Sequence, residues 1–110
     1  MLASIARETL HLIGAESCEV VPGRFRDVLP AVLQRSSALD LVFIDGHHEY
    51  QPTLDYVDQI KPCLSEKGAI VFDDVYLWSR QVRKAWKRII RTHPNACPID
   101  LAKFGILFWG

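Results

Sequence analysis

Carboxylates and imidazoles follow two apolar runs of this sequence. The run LVFI ends at Asp45, with His47 and His48 close behind, and the run AIVF ends at the pair Asp73 and Asp74. Carboxylate oxygens are hard ligands of the kind that Mg²⁺ takes. Histidine titrates near neutral pH and can therefore accept a proton from a substrate. These residue types indicate metal-assisted or acid–base chemistry, provided that the fold brings the two runs together.

Apolar spacing predicts the elements that would position these side chains. Helical spacing predicts four helices, over residues 2–13, 28–33, 52–64 and from a Ser79 cap to about residue 90. Gly14 is expected to end the first helix. Pro52 is expected to start the third helix, and SEKG (65–68) to end it. Continuous apolar runs predict strands at CEVV (18–21), LDLVFID (39–45) and AIVFDD (69–74). The tail PIDLAKFGILFWG predicts two short strands around a turn.

Continuous apolar strands that alternate with helices are typical of a parallel sheet covered on both faces. We therefore predict an α/β fold in one domain spanning residues 1–110: a Rossmann-like, mostly parallel sheet with helices on both faces and a C-terminal antiparallel strand pair. In such sheets, ligands bind beyond the carboxyl ends of the strands. Asp45, Asp73 and Asp74 follow two such ends, so we expect them to face one crevice.

Composition excludes several classes of protein. The formal net charge is 0, so no overall field attracts nucleic acid or an anionic membrane. The three cysteines form no CxxC pair, which argues against a disulfide framework and a zinc site. The first helix contains Arg7 and Glu8 and therefore lacks the apolar core of a signal peptide or a membrane span. We expect a cytoplasmic protein with reduced thiols and no membrane partner.

The segments LVFIDGHHEY and LSEKGAIVFDDVYLW, with the basic helix after them, resemble the C-terminal half of class I S-adenosylmethionine-dependent methyltransferases, especially the small-molecule O-methyltransferases. The resemblance covers most of the chain. It implies that Asp45, Asp73 and Asp74 hold a magnesium ion and that His48 acts as the base toward the substrate hydroxyl.

The segment CEVVPGRFRDVLP is similar to the third strand and following helix of that family. The family usually has Gly-Asp there, in contact with the adenine ring, so the resemblance assigns cofactor contact to Gly23 and Arg24. The family's glycine-rich turn has no counterpart, because no two of the six glycines stand at GxG spacing. We therefore expect a truncated domain that is weakly active or inactive and binds S-adenosylmethionine weakly by itself.

Structural roles compete with these functional ones. Aspartates at strand ends also cap helices or bind loop amides, and this alternative applies to Asp73 and Asp74. Gly46 favours a functional role for its neighbour Asp45, because a glycine lets backbone approach a ligand closely. We interpret His47 as solvated or bonded to a loop, and both alternatives stay open for His48.

A basic helix suggests another class of function. No acid lies between Val75 and Asn95, whereas six basic residues and two tryptophans do: Arg80, Arg83, Lys84, Lys87, Arg88, Arg91, Trp78 and Trp86. Such a surface can bind single-stranded nucleic acid through phosphate contacts and stacking. The charges fall mainly opposite the apolar stripe, so we interpret them as a solvated face, with the tryptophans in the core, and predict no nucleic-acid partner.

The sequence thus favours S-adenosylmethionine-dependent O-methyl transfer to a small-molecule hydroxyl, with Mg²⁺ assisting. Two alternatives stay open: a non-catalytic binding or assembly module, and a metal-dependent hydrolase that uses Asp45, His47, His48 and Asp73. We also expect a homodimer, because the strands CEVV and LVFI lack the neighbours that they have in the family, and exposed strand edges favour pairing with a second copy.

Overall fold

The computed structural model describes residues 2–45, 49–73, 75 and 80–110. The chain divides into two compact units, Met1–Gln34 and Arg35–Gly110. None of the helices within the described ranges is both long and apolar enough to cross a membrane.

Two helices form the N-terminal unit: α1, Leu2–Leu12, and α2, Phe25–Gln34. Both agree with the predicted helices to within a few residues. Gly14 has a φ of +77°, the left-handed conformation expected of a glycine that ends a helix. The amide of Ala15 then donates to the carbonyl of Leu10 at 2.8 Å, which satisfies one carbonyl of the last turn.

The predicted strand CEVV is wrong, because residues 18–21 have no strand conformation. A strand is stabilised by the ladder of hydrogen bonds to a neighbour, and this segment pairs with no strand in the described part of the chain. The carbonyl of Val20 instead accepts a hydrogen bond from the guanidinium of Arg7 at 3.2 Å. An apolar run alone therefore did not determine a strand here.

The C-terminal unit contains a four-stranded sheet in the order β1-β2-β4-β3. The strand β1 pairs in parallel with β2, whereas β2–β4 and β3–β4 are antiparallel. This confirms the α/β class and the C-terminal antiparallel pair. The described sheet is mixed and not mostly parallel as predicted, because two of its three strand pairings are antiparallel. The bounds are β1 Leu39–Ile44, α3 Tyr50–Ile60, a 3-10 turn Lys61–Cys63, β2 Leu64–Asp73, α4 Arg80–Thr92, β3 Cys97–Leu101 and β4 Phe104–Phe108.

Two predicted boundaries between α3 and β2 are wrong. Pro52 is the third residue of α3 and not the first, and SEKG belongs to β2 instead of ending the helix. Gly68 explains the second error: a Cβ there would lie 3.1 Å from the carbonyl oxygen of Leu39 and 2.9 Å from the Cβ of Leu64. The glycine thus permits close packing within the β1–β2 pair, where the sequence suggested a helix stop.

One face of the sheet packs against α4. The rings of Phe72 and Trp86 lie 5.5 Å apart between centroids, and both residues are buried. Gly105 on β4 makes room for this contact, because a Cβ there would lie 3.0 Å from the indole Cζ2 of Trp86. The helix α3 lies beside α4 and buries Val57 and Ile60. This core fixes the strands whose carboxyl ends carry Asp45 and Asp73.

Candidate functional site

The carboxyl edge of the β1–β2 pair carries the two described aspartates of the predicted site. Ile44 is paired with Phe72 in the parallel register, and the next residue in each strand direction is an aspartate, Asp45 and Asp73 respectively. Neighbouring parallel strands lie about 4.8 Å apart. The two aspartates therefore follow adjacent strands at the same edge of the sheet.

Asp73 combines partial burial with an unsatisfied oxygen. The residue is half-buried at the end of β2, opposite Phe104 in the antiparallel register with β4. Its Oδ1 is buried and has no hydrogen-bond partner in the part of the chain that the structure describes. Leaving such an oxygen without a partner costs about 1 to 3 kcal/mol, and more when the group is charged. A ligand that supplies a positive charge or a donor at this atom would remove that cost.

Asp45 is exposed and follows the last residue of β1 directly. Its position suits a carboxylate that meets solvent or a ligand, because no core packing depends on an exposed side chain. Asp74, His47 and His48 lie outside the described residues. The described residues contain no group of three or more His, Cys, Asp or Glu side chains that could hold a metal ion. The structure therefore positions two of the three predicted magnesium ligands.

The helices that follow the two strands are joined at their first turns. The backbone amide of Tyr50, the first residue of α3, donates to the Oε1 of Gln81 in the first turn of α4 at 3.1 Å. The amide of Thr53 and its hydroxyl both reach the carbonyl of Glu49, at 3.3 and 2.6 Å. Sequence reasoning missed Gln81, since a glutamine at a helix start gives no signal of a partner 31 residues away.

Gly23 and Arg24, the predicted cofactor contacts, belong to the N-terminal unit and have local structural roles. Gly23 has a φ of +135°, and a Cβ there would lie 2.5 Å from the Cγ1 of Val28. The carbonyl of Arg24 accepts from the amides of Asp27 and Val28, both at 3.0 Å, and so starts α2. The geometry of the turn before α2 therefore explains why a glycine stands at position 23. The contact of Gly23 and Arg24 with adenine stays a prediction.

The comparison with protein families decides the class of this chain. The model of a family described as a methyltransferase domain matches residues 3–75, two thirds of the chain, and this segment includes Asp45 and Asp73. The chain belongs to this methyltransferase family. The resemblance to class I S-adenosylmethionine-dependent methyltransferases is thereby confirmed.

Two proteins that are similar to this methyltransferase-family chain are longer than it is. An uncharacterised protein, R132, of Acanthamoeba polyphaga mimivirus is 35% identical over 65 residues, which cover 57% of this chain and 29% of that protein. The apo structure of CalS11, a TDP-rhamnose 3′-O-methyltransferase of calicheamicin biosynthesis, matches with a TM-score of 0.61 at 22% identity. That match covers 82% of this chain and 41% of the other, and it shows the fold. The chain thus spans less than half the length of both proteins.

Proposed function

We propose that this methyltransferase-family chain takes part in S-adenosylmethionine-dependent methyl transfer to the hydroxyl oxygen of a small molecule. The Oδ1 of Asp73 is buried and has no hydrogen-bond partner among the described residues, and it lies at the strand edge that also carries Asp45; this observation supports the proposal. The family match supports methyl transfer. The fold shared with an O-methyltransferase that acts on TDP-rhamnose supports oxygen as the acceptor.

The donor set at the carboxyl edge fits a magnesium ion. Mg²⁺ prefers hard oxygen ligands, keeps several waters and needs only one or two carboxylates from the protein. In this proposal Asp45 and Asp73 hold the ion, together with Asp74. A bound Mg²⁺ would supply a positive charge that makes the substrate hydroxyl easier to deprotonate.

The chain's own residues would bind, orient and deprotonate the acceptor. Asp73 pairs with Phe104 on β4 and directly follows Phe72, which is paired on both sides, so the backbone that carries its carboxylate has a defined position at the edge. In this proposal His48 accepts the proton of the hydroxyl, and Gly23 with Arg24 contacts the adenosyl group. The acceptor oxygen then forms a bond to the methyl carbon as the bond from that carbon to sulfur breaks, which leaves S-adenosylhomocysteine.

Transfer of a labelled methyl group tests the proposal. The chain is incubated with millimolar S-adenosylmethionine, Mg²⁺ and a panel of catechol, phenol and sugar hydroxyl compounds. We expect slow label transfer to at least one class of compound, with the rate lowered at least about tenfold in Asp73→Asn, as for loss of a group that supports a bound metal. Asp40→Asn, an exposed aspartate at the opposite end of β1, is the matched control and should keep the wild-type rate.

Two results would contradict this function. Wild-type protein that transfers no label to any compound lacks the proposed activity. Equal losses in Asp73→Asn and Asp40→Asn would show that the carboxyl edge has no special role. Calorimetry with S-adenosylmethionine then tests the non-catalytic alternative, because a chain that neither transfers label nor binds the cofactor is a binding or assembly module.

A further inference from the structure

A groove runs between α3 and α4, and Tyr50 and Gln81, whose hydrogen bond is described above, line one of its cavities. It consists of two neighbouring cavities of about 560 and 550 Å³, which share Tyr50 as a lining residue. Its α4 side carries Gln81, Lys84, Arg88 and Arg91, which recur at the spacing of three and four that places residues on one helix face. The groove is therefore an elongated surface with one cationic wall.

The cations of this wall have no anionic partner in the described chain. Lys84, Arg88 and Arg91 form no ion pair there, whereas ion pairs do occur in the N-terminal unit, between His11 and Glu16 for example. Three neighbouring cations repel one another, and a bound anion would relieve that repulsion. Asp58 lines the end of the groove near Arg88 and His93, so it partly offsets the charge at that end but not at the end lined by Lys84 and Arg91.

The floor of the groove offers little to an apolar ligand. Val57 and Ile89 line it but are only 0% and 1% exposed, so an incoming apolar group could bury little additional surface on them, and the half-buried Leu54 supplies a small apolar area beside them. Trp86 packs on Phe72 in the core and is not available for stacking with a base. The groove therefore presents charged and hydrogen-bonding groups beside a limited apolar surface.

We propose that this groove binds a small anion of the diphosphate class through Lys84, Arg88 and Arg91. Side chains one helical turn apart lie about 5 to 6 Å from each other, so two of them can contact one diphosphate at the same time. Guanidinium groups also bind phosphate oxygens in a bidentate manner, which favours phosphate over a monovalent anion. This site is independent of the proposed methyl transfer.

Isothermal titration of inorganic pyrophosphate into the chain, without Mg²⁺ and at two ionic strengths, tests the proposal. The groove variant Lys84→Gln/Arg88→Gln is compared with Arg80→Gln/Lys87→Gln, which removes the same charge from the same helix outside the groove. We expect binding that weakens with salt and an affinity loss of at least about tenfold in the groove variant. The control variant should lose less than about threefold, as expected for a general field effect.

Three outcomes would overturn the proposal. Absence of pyrophosphate binding to the wild type at low salt would identify the cationic wall as a solvated helix face. Equal losses in the two variants would indicate a diffuse field without a site. Much tighter binding of a single-stranded oligouridylate than of pyrophosphate, lost in the groove variant, would identify nucleic acid as the partner. Unchanged circular dichroism and melting temperature in both variants ensure that each comparison concerns folded protein.

Discussion

The two faces of the β1–β2–β4 sheet have similar apolar composition but very different burial. On the face that packs against α4, Ile70, Phe72 and Leu107 are at most 2% exposed. On the opposite face, Leu41 is 65% and Phe43 53% exposed. Apolar residues on both faces predict a strand that is covered twice, but the described chain buries only one face thoroughly. Burial, and not composition, should therefore decide which apolar residues stabilise the C-terminal unit.

The largest expected effect comes from truncating the same residue type on the two faces. Phe72→Ala should lower the free energy of unfolding by about 3 to 5 kcal/mol, because it leaves a cavity beneath Trp86. Phe43→Ala should cost less than about 1 kcal/mol, because its ring is half in solvent already. Urea denaturation of both variants measures the difference, and equal losses would show that the opposite face is as well covered as the first.

A smaller effect is expected from filling the space above β4. Gly105→Ala places a Cβ 3.0 Å from both Trp86 and Val75, so it should destabilise the protein by about 1 to 3 kcal/mol through overpacking. Thermal unfolding provides the measurement. A stability equal to that of the wild type would mean that the indole moves aside at little cost and that the contact with α4 is loose.

The homodimer stays a prediction, and the strand order now makes it specific. The strand β1 lies at one edge of the described sheet, with Leu41 exposed, so a second copy can pair with this edge. Leu41→Lys should weaken self-association at least about tenfold, since a charged edge residue opposes pairing. Leu101→Lys, exposed on the opposite edge strand β3, is the control. Light scattering over a dilution series decides, and a wild-type monomer at micromolar concentration would contradict the dimer.

Sequence periodicity predicted the helices and the C-terminal strand pair well, because these depend on local spacing and turn residues. It was wrong where pairing partners decide the structure. The apolar segment CEVV pairs with no strand in the described part of the chain, and SEKG has the composition of a helix end but lies within β2. Asp45 and Asp73 were predicted to share an edge of the sheet because the end of each apolar run marks the end of a strand. The Tyr50–Gln81 hydrogen bond and the cationic groove depend on how α3 packs against α4, and the spacing of residues along the sequence does not predict that packing.

Calorimetric titration of Mg²⁺ tests the central proposal, a metal site at the carboxyl edge of β1 and β2, most directly. We predict binding to the wild type that weakens at least about tenfold in Asp45→Asn and in Asp73→Asn, with melting temperatures close to that of the wild type. Asp40→Asn should leave the affinity unchanged, because it lies at the far end of β1. Magnesium affinity that stays constant in Asp45→Asn and Asp73→Asn, while either melting temperature falls, would contradict the account and assign these aspartates a structural role.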